Sequence, residues 1–189
     1  QVLTSELLEG EVGADIIPMK EKTGYAEGAL TEAWACVVAS YRITRRPSIK
    51  KGGILWLIGT HADDGDYSLD FETDPRVIVA SDLDWPMLDQ LRFWEEAGRF
   101  ELIETEAFDQ LDLDALSAKQ GKFDDIIILG SDAGVIEKAS QFLGNHGIMN
   151  IVASEPISRP VKIDVGKVHY QTHSYIGTTS RHIKDAYAP

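Results

Sequence analysis

Five short, mainly apolar runs recur down the chain: "ILWLIG" (54–59), "RVIVASD" (76–82), "FELIETE" (100–106), "DIIILGS" (125–131) and "IMNIVAS" (148–154). Between them lie helical stretches, "PMLDQLRFWEEAG" (86–98), "FDQLDLDALSAKQ" (108–120) and "AGVIEKASQFLGNHG" (133–147), the last with Gly144 and Asn145 as stop signals. A strand without a polar face must be covered on both sides. Such strands alternating with helices therefore predict a parallel sheet sandwiched between helical layers. Right-handed crossovers leave few ways to connect it, and a doubly wound sheet is the simplest. A sixth strand, "HSYIGTTS" (173–180), is predicted after an irregular stretch at 155–172. The fold class is α/β, with a mostly parallel six-stranded sheet and helices on both faces. Upstream, "EGALTEAWACVVASYRI" (27–43) reads as a helix, with Leu30, Trp34, Val37, Val38 and Tyr41 on one apolar face and Cys36 in the core. Residues 1–26 read as a preceding segment, and residues 27–189 as the domain proper.

The 189 residues suffice for one full core. With 18 Lys+Arg against 31 Asp+Glu the formal charge is -13, which repels nucleic acid and anionic membrane. No apolar run approaches the ~20 residues of a membrane span. The single cysteine permits no internal disulfide and no cysteine-rich zinc site, which suits a reducing, cytoplasmic setting.

A doubly wound sheet places its ligand where the strand order reverses, at the turn after the first strand. In dinucleotide-binding chains that turn reads GxGxxG. Counted from Gly59, the glycine positions fall on Thr60, Ala62 and Gly65, of which only Gly65 is glycine. Thr60 and Ala62 are small, but Asp63, Asp64 and Asp66 crowd the same turn. These carboxylates either cap a short helix or compete with a phosphate for the helix N-terminus. His61 lies in the same turn, facing a ligand phosphate or solvent. Asp82 ends the second strand 17 residues after Gly65, where an acidic residue binds the ribose hydroxyls and disfavours the 2′-phosphate of NADP. It could equally cap the next helix, with Asp84 the rival cap before Trp85 and Pro86. His169 and His173 form an HxxxH pair in a stretch that reads as loop and strand, where the two do not share a face. No GxSxG elbow is present.

Four stretches carry a family resemblance: "ALTEAWACVVASYR", "IKKGGILWLIG", "KFDDIIILGSDAGVIEKASQFLGNHGIMNIVAS" and "VHYQTHSYIGTTS". Together they resemble the medium-chain, zinc-type alcohol dehydrogenases, closest to the sorbose-1-phosphate reductase-like branch. The resemblance runs through nearly the whole chain and implies a Rossmann-type coenzyme domain, without the zinc-bearing catalytic domain that precedes it in the family. The first 26 residues would then be the remnant of a linker, and the chain an excised domain or a truncated product. Glu32 matches the glutamate of the family's "EPWACV", near or on the catalytic zinc, with Ala33 in place of proline. Glu32 alone cannot hold the metal, so zinc belongs only to an intact enzyme. Leu129 and Ser131 match the strand end that borders the adenine. Ala153 and Ser154, with Gly177 and Thr178, match the ends near the nicotinamide. The departure is the turn at 60–66, glycine-rich in the family. The implied partners are NAD rather than NADP, a small polyol or sugar-phosphate substrate, and a second copy in a homodimer. The other reading is a degenerate module without a dinucleotide, acting in assembly or regulation.

Overall fold

The computed structural model describes residues 19–40, 45–60 and 66–187, with residues 39 and 40 described in backbone only. The chain divides into two compact units, Gln1–Thr44 and Arg45–Pro189. The first contains helix α1 (Tyr25–Ser40). Its start is fixed by Glu27, whose side chain accepts from Gly24 N at 2.9 Å. Cys36 is exposed rather than buried, and so are Leu30, Trp34, Val37 and Val38.

The second unit holds β1 (Ile54–Gly59), β2 (Val77–Ser81), α2 (Trp85–Glu96), β3 (Glu101–Glu104), α3 (Leu113–Gln120), β4 (Phe123–Leu129), α4 (Ala133–Ser140), β5 (Leu143–Val152), α5 (Val165–Tyr170) and β6 (Ser174–Thr178), then a 3-10 turn at Ile183–Ala186. The six strands form one sheet in the order β3-β2-β1-β4-β5-β6. Every pairing is parallel. This is the doubly wound order, with its reversal between β1 and β4.

The four central strands bury both faces. Leu55, Leu57, Ile78, Ile127 and Val152 pack with Met87 and Leu91 of α2, and with Leu69, Ile183 and Tyr187. Trp56, Ile58, Val79, Ile126, Ile128 and Met149 pack with Leu116 of α3 and with Ile136 and Ala139 of α4. Trp56 is fully buried and stacks on Phe123 at 4.8 Å, with Phe108 at 5.5 Å.

Three boundaries differ from the sequence reading. The helix expected at 133–147 ends at Ser140, and β5 begins at Leu143. Leu143 is buried opposite Phe123, so the chain enters the sheet early and then turns at residues 144–147 before the ladder resumes at Ile148. Gly147 is required there, because a Cβ would lie 2.5 Å from Leu143 Cγ and 2.7 Å from Gly144 O. The helix expected at 108–120 begins only at Leu113, because Phe108 is buried in the Trp56 cluster and Asp112 caps the first turn. The stretch 155–172 contains α5, capped by Asp164, whose carboxylate accepts from Gly166 N and Lys167 N.

Candidate functional site

In a parallel sheet all strands end on one edge, and here that edge gathers most of the residues singled out from the sequence. Gly59 closes β1 opposite Leu129 of β4, and Thr60 N donates to Leu129 O at 3.0 Å. Thr60 therefore stands at the reversal of strand order. It is buried, and its hydroxyl has no hydrogen-bond partner among the described residues. A buried hydroxyl left unpaired costs about 1–3 kcal/mol, so this position gains from a polar ligand atom. Ala62 and Gly65, with His61, Asp63 and Asp64, lie outside the described residues. Asp66 is exposed, and no helix occurs over 66–76.

Gly59 is needed for close approach. A Cβ there would lie 2.1 Å from Asp82 O, so the backbone that follows β2 sits directly over the end of β1. Asp82 adopts a left-handed conformation (φ 53°), which aspartate tolerates better than most residues. Its Oδ2 accepts from Phe108 N at 2.7 Å, tying the end of β2 to the loop after β3. Asp84, the rival cap, accepts from Met87 N and caps α2. Below Asp82 runs a polar chain that the sequence did not suggest. Trp56 Nε1 donates to Ser81 Oγ at 2.9 Å, Ser81 Oγ lies 2.7 Å from Thr105 Oγ1, and Thr105 Oγ1 donates to Ala80 O at 3.1 Å. The end of β2 is thereby tied to β1 and to the end of β3.

The other strand ends follow. The side chains of Leu129 and Ala153 are buried, so they contribute shape and backbone rather than polar contacts. Ser131 is half-buried after Gly130, whose N–H bonds Val152 O at 2.8 Å. Ser154 is exposed one residue beyond Ala153. Gly177 is exposed but close-packed, since a Cβ would lie 2.8 Å from Ile151 O. Thr178 O accepts from Ala153 N at 3.1 Å, and its side chain accepts from Ser180 N. Glu32 is exposed on α1, in the first unit.

The electrostatics of this edge are acidic. The helices that follow β2, β3 and β4 all begin on it, and Asp84, Asp112 and Asp132 cap them by accepting from Met87 N, Ala115 N and Val135 N. Each carboxylate occupies amides that would otherwise be open to an anion.

The histidine pair does not converge. His169 is exposed on α5, whereas His173 beyond it is 3% exposed. Neither ring nitrogen of His173 makes a well-formed hydrogen bond among the described residues, and the Gly144 backbone is a polar neighbour that acts on the ring. Burial, and then the nearby Lys167 ammonium, hold its pKa below the ordinary histidine value. Among the described residues no group of three or more His, Cys, Asp or Glu side chains could hold a metal, so Glu32 does not fit a zinc site on its own. Nor is any described helix long and apolar enough to cross a membrane.

No protein-family model matches the chain. In sequence it is 30% identical over 179 residues to the mannitol-1-phosphate 5-dehydrogenase of Aliivibrio fischeri, a match covering 82% of this chain and 42% of that protein. The chain thus spans less than half the length of this curated relative. In structure it is similar to 2R,3R-butanediol dehydrogenase from Bacillus subtilis, with TM-score 0.46 and 17% identity over 90% of this chain and 47% of that one. It is also similar to Haloferax mediterranei glucose dehydrogenase in complex with NADP, Zn and gluconolactone, with TM-score 0.44 and 13% identity over 86% of this chain and 44% of that one.

Proposed function

We propose that the Arg45–Pro189 unit is the NAD(H)-binding domain of a medium-chain alcohol or polyol dehydrogenase, related to the sorbose-1-phosphate reductase-like branch. The observation that carries this reading is the reversal of strand order between β1 and β4, with the buried Thr60 hydroxyl, unpartnered among the described residues, at that point. The sequence similarity to a polyol-phosphate dehydrogenase supports it. A bound nicotinamide supplies hydride exchange with an alcohol or ketone carbon. This chain's part is to bind and orient it. Gly59 and Thr60 would meet the middle of the dinucleotide and Ser131 its adenosine side. Ser154 and Thr178 would lie toward the nicotinamide. Asp82 keeps a carboxylate at the adenosine end, which disfavours a 2′-phosphate and selects NAD over NADP. Zinc would require ligands from outside the described residues, and the chain alone is expected to be inactive as a dehydrogenase.

The fit is partial. Strand ends and the Thr60 hydroxyl suit the neutral parts of a dinucleotide. At the helix starts after β2, β3 and β4 a pyrophosphate meets an aspartate cap that already takes one amide and adds a negative charge. That observation favours the second reading, a module that holds no dinucleotide and acts in assembly or regulation. Titrating the chain with NADH and with NADPH, followed by Trp fluorescence and calorimetry, separates the two. Saturable binding that is tighter for NADH supports the first reading. A folded chain that binds neither at millimolar concentration overturns it.

A further inference from the structure

At the opposite, amino edge of the sheet lies a polar cavity of about 300 Å³, lined by Glu137, Ser140, Gln141, Lys162, Asp164 and Lys167. It sits where α4 ends, beside the loop that leads into α5. Of its acidic groups Glu137 is fully engaged and Asp164 through one oxygen. Glu137 accepts from Arg159 Nη1 at 2.6 Å, Arg159 Nη2 at 3.0 Å and Lys162 N at 2.8 Å. Those bonds, that to Arg159 first, hold its pKa at about 2, so it stays ionised and occupied. Asp164 Oδ1 is taken by Gly166 N at 2.9 Å. Ser140 Oγ donates to Glu137 O.

The cationic groups are less fully used. Lys167 Nζ has only a long contact, 3.5 Å, to Gln141 O, which Lys122 Nζ also meets at 3.1 Å. Lys162 Nζ makes no hydrogen bond among the described residues. In a chain of net charge -13, this is a local concentration of cations: Lys122, Arg159, Lys162 and Lys167 against Glu137 and Asp164. Beside Lys167 is His173, whose backbone N donates to Lys167 O at 3.3 Å and whose buried ring lies near the Gly144 backbone.

We propose that this cavity is a binding site for a compact dianion, a phosphate or the phosphoryl group of a small phosphomonoester, held between Lys162 and Lys167. The cavity has room for a short carbon chain beside the phosphoryl group. Glu137 is tied to Arg159 and Asp164 Oδ1 to the α5 backbone, and neither carboxylate hydrogen-bonds a lysine Nζ among the described residues. The site lies on the other edge of the sheet from the proposed coenzyme cleft and does not depend on it.

The test is calorimetric titration of the full chain with inorganic phosphate at low ionic strength. The variants are Lys162→Ala, Lys167→Ala and, as a control outside the cavity, Lys119→Ala. Each cavity lysine contributes a charge-assisted bond, so each of the two substitutions should weaken binding about tenfold and the control should leave it unchanged. The His173 ring protons, followed by NMR, give a second readout. An anion beside Lys167 offsets the repulsion that depresses His173, so saturating phosphate should raise its titration midpoint in the parent chain and not in Lys167→Ala. Folding of each variant is read from the buried Trp56. Absence of saturable binding by the folded parent chain overturns the proposal. So does binding that neither cavity substitution weakens, which would place the phosphate elsewhere, the coenzyme cleft included.

Discussion

Asp125 is the most consequential single charge in the fold, and its removal can be worked through quantitatively. It lies near the start of β4, 2% exposed, facing Arg46, which is 29% exposed. Arg46 Nη1 and Nη2 each donate to it at 3.1 Å, Lys50 N donates at 2.8 Å, and Tyr187 Oη donates at 3.3 Å. One carboxylate thus pins the loop leading into β1, the middle of the sheet and Tyr187 near the chain's end. Breaking a fully buried pair costs about 3–5 kcal/mol. Two features lower that figure. Arg46 can recover water contacts, and burial outweighs the pull of Arg46 on Asp125, so its pKa is raised and its ionised form already carries a penalty. For Asp125→Ala we expect a loss of about 2–3 kcal/mol. In urea, followed by Trp56 fluorescence, that is a fall in midpoint of roughly 1–2 M. Because the folded pKa is raised above 3.8, the carboxylate's proton linkage adds stability that is fully present below pH 3.8 and lost as pH rises through the folded value. The parent chain should therefore lose stability from about pH 4 upward in a way that Asp125→Asn does not. A double-mutant cycle with Arg46→Ala should give a coupling of about 1–3 kcal/mol. A loss below ~1 kcal/mol for Asp125→Ala, or a coupling near zero, would refute the reasoning.

Gly59→Ala places a methyl group 2.1 Å from Asp82 O. It should destabilise the chain by about 3 kcal/mol, because a backbone carbonyl cannot swing aside as a side chain can; a midpoint in urea within error of the parent would show that the end of β2 is not fixed there. Glu137 should titrate by carbon-detected NMR near pH 2 and not near 4.5. Its depressed pKa means that the stabilisation from its ion pair is present above 4.5 and lost as pH falls through about 2. Arg159→Gln should move the midpoint up toward the ordinary value, and an unchanged midpoint would exclude Arg159 as its cause.

The fold was legible because the strands announce themselves. Runs such as Ile54–Gly59 and Ile126–Leu129 are apolar on both faces and can only sit inside a covered sheet. The edges of helices were less legible. Phe108 carries the same apolar label whether it lies on a helix or, as it does, under Trp56 in a loop. Leu143 to Gly147 reads as a helix end until one sees that Leu143 pairs with Phe123. For the candidate site, position along the strands was readable and chemistry was not. Asp82 stands where a ribose-binding acid would stand, but the partner of its Oδ2 is Phe108 N, 26 residues away in sequence. Nothing local signals that bond. The amino-edge cavity was hidden for the same reason, since Glu137, Lys162 and Lys167 meet only once α4 and α5 are placed.

The two edges of the sheet differ in charge for a reason rooted in the helix dipole. Helices that cross back from a parallel sheet begin at the carboxyl edge and end at the amino edge. Three of the helix starts on the carboxyl edge carry aspartate caps, and the end of α4 carries Lys138 and draws Lys122 and Lys167 to its last carbonyl. Each choice stabilises its helix locally, by about 0.5–2 kcal/mol per cap. Their sum leaves negative charge where a doubly wound fold ordinarily receives an anion, and positive charge where it does not. A ligand at the carboxyl edge must then rely on strand-end backbone and on Thr60, which favours uncharged surface over phosphate. An anion gains more at the amino edge. Comparing the salt dependence of NADH binding with that of phosphate binding checks this. Steep weakening of phosphate binding with salt beside a shallow response for NADH is expected, and the reverse order would contradict the assignment of charge to the two edges.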